Sequence, residues 1–177
     1  MRSLLLLLAV PALLVGCGTT HTVVHTVTVT RTVTTTAATT VADQRLYGHI
    51  RSMEPTPGGY FVHFDPAWFL SGITANAAQA EDQGVTCAPR DCEPVPNDNL
   101  SVDESGRTYV YFLPSTVHGT VLTKTSNNFA DTTVSAAQLA QIVDGTSSLQ
   151  LFEPLESGVW ITVRIDTIRS FAQQYQP

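Results

Sequence analysis

The chain has 177 residues, of which 43% are hydrophobic and only 14% charged, and its formal net charge is −6. This length predicts a single small domain with appendages, and the low charge excludes a charged disordered tail, a coiled coil and a basic nucleic-acid-binding protein. Three cysteines are too few for a miniprotein that is built on disulfides.

The first sixteen residues have the features of a signal peptide. Arg2 supplies a positive charge, and residues 4–15 form an apolar run that only Pro11 interrupts. A membrane-spanning helix needs roughly 20 apolar residues, whereas a run of about a dozen is typical of the apolar region of a signal peptide. We therefore expect residues 1–16 to be an export signal.

The end of this segment, Leu14-Val15-Gly16-Cys17, resembles the lipobox of bacterial lipoproteins. That pattern is an aliphatic residue, a small or aliphatic residue, a small residue and then cysteine. The resemblance implies that Cys17 receives a diacylglycerol and becomes the mature N-terminus, anchored to a cell membrane on its extracytoplasmic side. An ordinary secretory signal with an incidental cysteine is the alternative.

Residues 18–42 are dominated by Thr and Val and contain no acidic residue. Alternating β-branched residues are typical of a strand, but this segment lacks turn residues and a partner of similar character. After a lipid anchor, a Thr-rich stretch is better explained as a stalk that could carry O-linked glycans. Its 25 residues would reach roughly 80 Å when extended and about 25–30 Å as a flexible coil.

We expect one globular domain over residues 43–177. It contains all fifteen acidic residues of the chain and seven basic ones, so its net charge is −8. Such a surface repels nucleic-acid phosphates and anionic lipid head groups alike. We therefore expect no nucleic-acid partner, and contact with the membrane only through the lipid anchor.

Five segments have the alternation or the β-branched composition of strands: residues 46–51, 60–64, 107–113, 117–124 and 159–165. The first two predict a hairpin with a longer loop around Pro57-Gly58-Gly59, and the next two predict a second strand pair around Pro114-Ser115. In the last segment the alternation places four aliphatic residues on one face: Val159, Ile161, Val163 and Ile165.

Helix signals stand between these strands. Asp65 and Pro66 have the signature of a helix start, as N-cap and first helical residue. Residues 74–83 are Ala-rich and predict a short helix. Ser135-Ala136-Ala137-Gln138 is a capping box, and it predicts a helix that Gly145 closes.

Strands in hairpins with short helices between them predict an α+β fold that is mainly antiparallel. The expected architecture is a small open sheet or a partly closed barrel with two or three short helices. Two stretches, Leu46-Tyr47-Gly48-His49 and Phe64-Asp65-Pro66-Ala67, resemble secreted bacterial domains of unknown function. That resemblance implies no chemistry.

Cys87 and Cys92 remain as an even pair once Cys17 is lipidated, and an exported domain meets an oxidising environment. A redox motif would have two intervening residues rather than four, and a zinc site would need two further ligands nearby. We therefore expect a structural disulfide, which contributes about 2 kcal/mol by closing a small loop.

We expect neither a metal site nor a cofactor. Acidic residues gather between Glu81 and Glu104, where oxygen-rich loops could hold calcium, but Leu100 stands where the helix–loop–helix calcium motif needs an oxygen ligand. A solvated acidic loop is therefore the preferred interpretation. The sequence has no glycine-rich phosphate loop and no motif for a nucleotide, haem or flavin.

Two pairs of residues are candidates for function. His63 and Asp65 share one side of a predicted strand, and a His–Asp pair orients an imidazole in nucleophilic catalysis. A half-buried histidine beside a helix-capping aspartate explains the same residues without catalysis. Trp68 and Trp160 fall where the pattern leaves them half exposed, and such aromatic platforms bind sugars or peptides, although core packing is the alternative.

The preferred interpretation is a non-enzymatic binding or interaction module on a stalk outside the membrane. Trp68 and Trp160 would lie in its contact face, and its ligand would be a protein or a glycan. One alternative is an envelope hydrolase that uses His63 and Asp65, although no G-x-S-x-G motif marks a nucleophile. Another is a structural envelope protein whose stalks cluster.

Overall fold

The computed structural model describes residues 41–104 and 106–176, so the predicted signal peptide, Cys17 and nearly all of the predicted stalk lie outside the described residues. The strands are β1 (Gln44–Thr56), β2 (Gly59–Ser71), β3 (Asn99–Asp103), β4 (Tyr109–Pro114), β5 (His118–Lys124), β6 (Phe129–Ser135), β7 (Val159–Arg164) and β8 (Thr167–Gln173). The α-helices are α1 (Gly72–Asp82) and α2 (Ala136–Val143), and two 3-10 turns span Pro96–Asp98 and Leu155–Ser157.

Five of the strands close into a barrel, in the order β1-β2-β4-β8-β7 and back to β1. Four of the five contacts are antiparallel, and the contact between β4 and β8 is parallel. The mainly antiparallel α+β prediction is therefore confirmed in its coarse form. The expectation of an open sheet holds only for β3, β5 and β6, which extend the sheet outside the closed ring.

Gly48 allows the closure, because β1 changes partner there, pairing with β7 before it and with β2 after it. A Cβ atom at Gly48 would lie 2.2 Å from the carbonyl oxygen of Asp65 on the crossing strand. Only a residue without a side chain lets the two backbones approach this closely.

Alternate residues of the barrel strands fill its interior with apolar side chains. The most deeply buried of these, all less than 2% exposed, include Val62, Phe64, Leu113, Ile161 and Ile168. Helix α2 adds Leu139, which is 1% exposed, to the same core. The capping box that predicts α2 is present, since Ser135 Oγ accepts from the Gln138 amide and Gln138 Oε1 accepts from the Ser135 amide.

The predicted first hairpin forms, but its strands are longer than expected. Thr56 pairs with Gly59, so a two-residue turn replaces the longer loop. The predicted helix start at Asp65 and Pro66 is wrong, because β2 continues through both residues to Ser71. Pro66 is tolerated because β2 pairs with β4 up to Phe64 and with β3 from Ala67, so its missing N–H falls between two ladders.

The predicted pair of residues 107–113 and 117–124 is also wrong. Both segments are strands, but β4 pairs with β2 and β8, whereas β5 pairs with β6 and β8. Both strands are parallel to β8: β4 pairs near the start of β8, and β5 pairs near the end of β8. Two strands that run the same way along one edge cannot form a hairpin with each other.

The last predicted strand forms, but it ends at Arg164. Ile165 is not part of its buried face: it is 71% exposed and has a φ of 55° in the turn that leads to β8. Strand β8 itself shows no regular alternation in the sequence, because Arg169 is an extra residue opposite β7 and two exposed residues therefore separate Ile168 from Phe171. Strands β3 and β6 were likewise not predicted.

The second half of β2 leaves the barrel and forms the outer ribbon, which we define as residues 67–71 of β2 paired with β3. Helix α1, predicted over residues 74–83, follows this half of β2, and the loop that carries the two cysteines joins α1 to β3. The outer ribbon lies over the outward-facing side chains of β1, as the contacts below show.

Candidate functional site

Three aromatic rings pack together where the outer ribbon meets the barrel. Tyr47 on β1 pairs with Trp160 on β7, so both point outward, and their ring centroids are 5.1 Å apart. Phe69 of the ribbon covers them, at 5.1 Å from Tyr47 and 6.0 Å from Trp160. Tyr47 is only 4% exposed as a result. The outward face of β1 therefore has a second, aromatic core of its own.

Hydrogen bonds to Ser157, Gln174 and Gln176 hold the polar ends of the Tyr47 and Trp160 rings. The Tyr47 hydroxyl donates to the carbonyl of Ser157 at 2.8 Å and accepts from Gln176 Nε2 at 2.6 Å. Trp160 Nε1 donates to Gln174 Oε1 at 2.7 Å. Burial raises the pKa of the Tyr47 phenol above its ordinary value, so the hydroxyl keeps its proton as donor.

His49, the next outward-facing residue of β1 after Tyr47, contacts the end of the outer ribbon. Its Nδ1 lies 2.9 Å from the carbonyl oxygen of Glu156, and its Nε2 lies 2.9 Å from Oδ1 of Asp103 at the end of β3. Both partners are oxygen acceptors. The His49 side chain is 12% exposed, and its two contacts are structural contacts between the ribbon and the barrel.

Beside the aromatic core lies a cleft of about 320 Å³, which we call the tryptophan cleft. It is lined by Arg45, Leu46, Tyr47, Pro66, Ala67, Trp68, Phe69, Glu104 and Trp160. Trp68 is 57% exposed, which is unusual for so large an apolar side chain on a strand. A second, more polar cleft of about 520 Å³ lies against Trp68 as well, lined in part by Arg107 and Tyr109.

The structure brings the two predicted tryptophans into one cleft, in different roles. Trp160 is half-buried and fixed by its ring contacts, whereas Trp68 is exposed. Arg45 belongs to the same cleft and was missed: its guanidinium carbon lies 4.3 Å from the centroid of the Trp160 ring. The alternation of Arg45, Tyr47 and His49 along one face of β1 was visible in the sequence, but the pairing of β1 with β7 was not.

His63 and Asp65 each contact a different residue of β1. His63 Nε2 lies 3.2 Å from Oε1 of Glu54, and Asp65 accepts two hydrogen bonds from Arg51, the shorter at 2.5 Å. Each residue is therefore held by a partner on β1. Asp65 also caps no helix, since it lies within β2.

The predicted disulfide is present, with Cys87 and Cys92 joined at 2.02 Å in the loop between α1 and β3. Glu81, Asp82 and Asp103 line a groove of about 490 Å³ between α1 and β3. Among the residues that the structure describes, no group of three or more histidine, cysteine or acidic residues is arranged to hold a metal ion.

No helix within residues 41–104 and 106–176 is long and apolar enough to cross a membrane. No protein-family model matches the sequence, and searches of curated proteins and solved structures find no significant relative. The geometry of the tryptophan cleft is therefore the starting point for assigning a function.

Proposed function

We propose that this chain is a non-enzymatic binding module of the cell envelope, anchored through lipidated Cys17 and held off the membrane by residues 18–42. The tryptophan cleft is its ligand site. The observation that carries the proposal is the indole of Trp68, which is 57% exposed at the rim of this cleft. Exposed tryptophan supplies large, rigid and amphipathic contact area, which is why it is enriched where proteins bind their ligands.

The shape and lining of the cleft support the same proposal. Its volume of about 320 Å³ lies at the lower end of the range for small-ligand sites. Apolar walls from Leu46 and Pro66 are combined with two charged side chains, Arg45 and Glu104. In ligand sites, a few polar groups on a mainly apolar surface orient the bound ligand. Small β-barrels host many functions, so the fold alone does not indicate one.

Ligand-induced stabilisation of the full chain in detergent tests the binding function. A ligand at about 100 times its dissociation constant raises the free energy of unfolding by about 2.7 kcal/mol. We expect one class in a panel of sugars, cell-wall fragments and short peptides to produce this increase, and Trp68→Ala to abolish it. Equal stabilisation of the wild-type and Trp68→Ala proteins would place the ligand elsewhere and contradict the proposal.

Fractionation of cells tests the anchor separately. We expect the wild-type chain in the membrane fraction and the Cys17→Ser chain in the soluble fraction, because the acyl chains supply the membrane affinity. If the Cys17→Ser chain stays with the membranes, the lipid anchor is wrong while the ligand site is unaffected.

A further inference from the structure

Arg45 is held in the tryptophan cleft by an aromatic ring. Its guanidinium carbon lies 4.3 Å from the centroid of Trp160, and Trp160 is itself fixed through its hydrogen bond to Gln174. Arg45 lies diagonally across the β1–β7 ladder from this ring, because Arg45 pairs with Thr162 and Tyr47 pairs with Trp160. The guanidinium is therefore positioned by the sheet.

The charge of Arg45 has no carboxylate partner within residues 41–104 and 106–176. Two other arginines of the barrel do have one: Arg51 pairs with Asp65, and Arg164 pairs with Asp43 at 2.7 Å. A guanidinium that stacks on an indole leaves the N–H groups at its edge free, and these form a planar fork that matches both oxygens of a carboxylate. Stacking also reduces the entropy that such a bond would cost.

Trp68 supplies the other half of the recognition surface. The negative face of an indole attracts weakly positive C–H groups, which a pyranose ring presents along one side. The cleft volume of about 320 Å³ suits one such ring better than an extended peptide chain. Glu104 also lines the cleft, and its carboxylate accepts hydrogen bonds from amide or hydroxyl groups.

We infer that the tryptophan cleft binds an acidic amino sugar, with the sugar carboxylate on Arg45, the ring against Trp68 and an amide N–H or hydroxyl group on Glu104. The inference rests on the proposed function, because it names the ligand class of the same site. A single carboxylate fits better than a polyanion, since Glu104 lies nearby and the net charge of residues 43–177 is −8.

Two sugars that differ by one carboxylate-bearing lactyl group provide the test. N-acetylmuramic acid is N-acetylglucosamine with a lactyl ether, and the Arg45→Gln variant separates the effect of the carboxylate from that of the rest of the lactyl group. Titration calorimetry with the full chain in detergent should show that N-acetylmuramic acid binds about tenfold more tightly or better, since a hydrogen-bonded charge pair has that effect. Arg45→Gln should abolish the preference, and Arg169→Gln, a matched loss of charge at an exposed position of β8, should preserve it.

Three results would overturn the inference, and they separate it from the proposed function. If both sugars bind equally, with losses in Trp68→Ala but not in Arg45→Gln, the cleft is a neutral-sugar site and the proposed function stands. If an acetylated dipeptide with a free carboxylate binds through Arg45 and neither sugar binds, the ligand is a peptide terminus. If neither sugar nor dipeptide binds at millimolar concentration, the acidic-sugar site is wrong. If, in addition, no ligand of the stabilisation panel stabilises the chain, the proposed function is contradicted as well.

Discussion

The barrel and the outer ribbon share strand β2, yet different interactions hold them. In the barrel, Phe64, Leu113 and Ile161 are fully buried, and their contribution grows with the apolar area that they remove from water. Under the ribbon, Tyr47 and Trp160 contribute ring contacts, and hydrogen bonds hold their polar ends in place. Apolar substitutions that conserve volume should therefore be tolerated best in the barrel, whereas the ribbon depends on a few directional contacts. These few contacts do not involve Trp68, whose side chain faces solvent.

The largest effect should come from the barrel. Phe64→Ala removes a side chain that is 0% exposed, and we expect the free energy of unfolding to fall by about 3–5 kcal/mol. Urea denaturation followed by circular dichroism measures this loss. The matched change in the ribbon is Phe69→Ala, at a half-buried position, and it should cost clearly less. Equal losses would mean that barrel and ribbon unfold as one unit and would remove the distinction between them.

The disulfide should stabilise the ribbon side alone. Replacing Cys87 and Cys92 together by alanine removes a bond that closes a short loop, which should cost about 2 kcal/mol. Hydrogen exchange should show faster exchange in α1 and β3 and unchanged exchange in β7 and β8. Faster exchange throughout the barrel would show that the loop supports the whole fold.

Tyr47 should make the contact between ribbon and barrel sensitive to alkali. Its pKa is raised above 10.0 in the folded chain by burial, so the unfolded chain loses the phenol proton first as the pH rises. The stabilisation is therefore complete below pH 10.0 and is lost as the pH rises from there through the folded pKa. Tyr47→Phe should cost about 1 kcal/mol at neutral pH and flatten this alkaline decline.

The corresponding variant at another tyrosine tests the assignment. Burial also raises the pKa of Tyr111, whose ring packs against Phe64 outside the ribbon contact. Tyr111→Phe should therefore flatten part of the decline while it leaves hydrogen exchange in β3 unchanged. If Tyr47→Phe leaves the alkaline decline as steep as in the wild type, the buried phenol is not its source.

Trp68 should have the smallest effect on stability. Its side chain is 57% exposed, so Trp68→Ala should change the free energy of unfolding by about 0.5 kcal/mol or less. The same variant should abolish ligand-induced stabilisation, which makes it a folded, non-binding control. A loss comparable to that of Phe64→Ala would show that Trp68 is a structural residue of the ribbon and would contradict its role in the cleft.

Local sequence signals predicted the features that depend on near neighbours. The capping box at Ser135, the turn around Pro57-Gly58-Gly59, and the alternation that starts at Val159 each involve residues a few positions apart. All three form, although the turn is shorter than predicted. The helix signature at Asp65 and Pro66 was equally local, but the continuation of β2 into the ribbon overrode it. Propensity is a weak prior that tertiary contacts override.

The candidate site was predictable only in part, because it joins distant parts of the chain. Trp68 and Trp160 were identified as half-exposed aromatics, and both line the cleft. Arg45 carries the proposed specificity, but its contact with Trp160 depends on the pairing of β1 with β7, which no local pattern encodes. The bulge at Arg169 hid further information, since it breaks the alternation by which strand β8 would have been detected.

The position of β8 determines when the fold can form. It is the last of the described strands, and it lies against β7, β4 and β5, which begin as early as Tyr109. A chain that is synthesised from its N-terminus can make the β1–β2 hairpin early, but its barrel stays open until β8 has emerged. Pairings over such sequence distances slow folding. A chain without a paired β8 exposes its apolar interior throughout this delay, so β8 controls its vulnerability to aggregation and proteolysis.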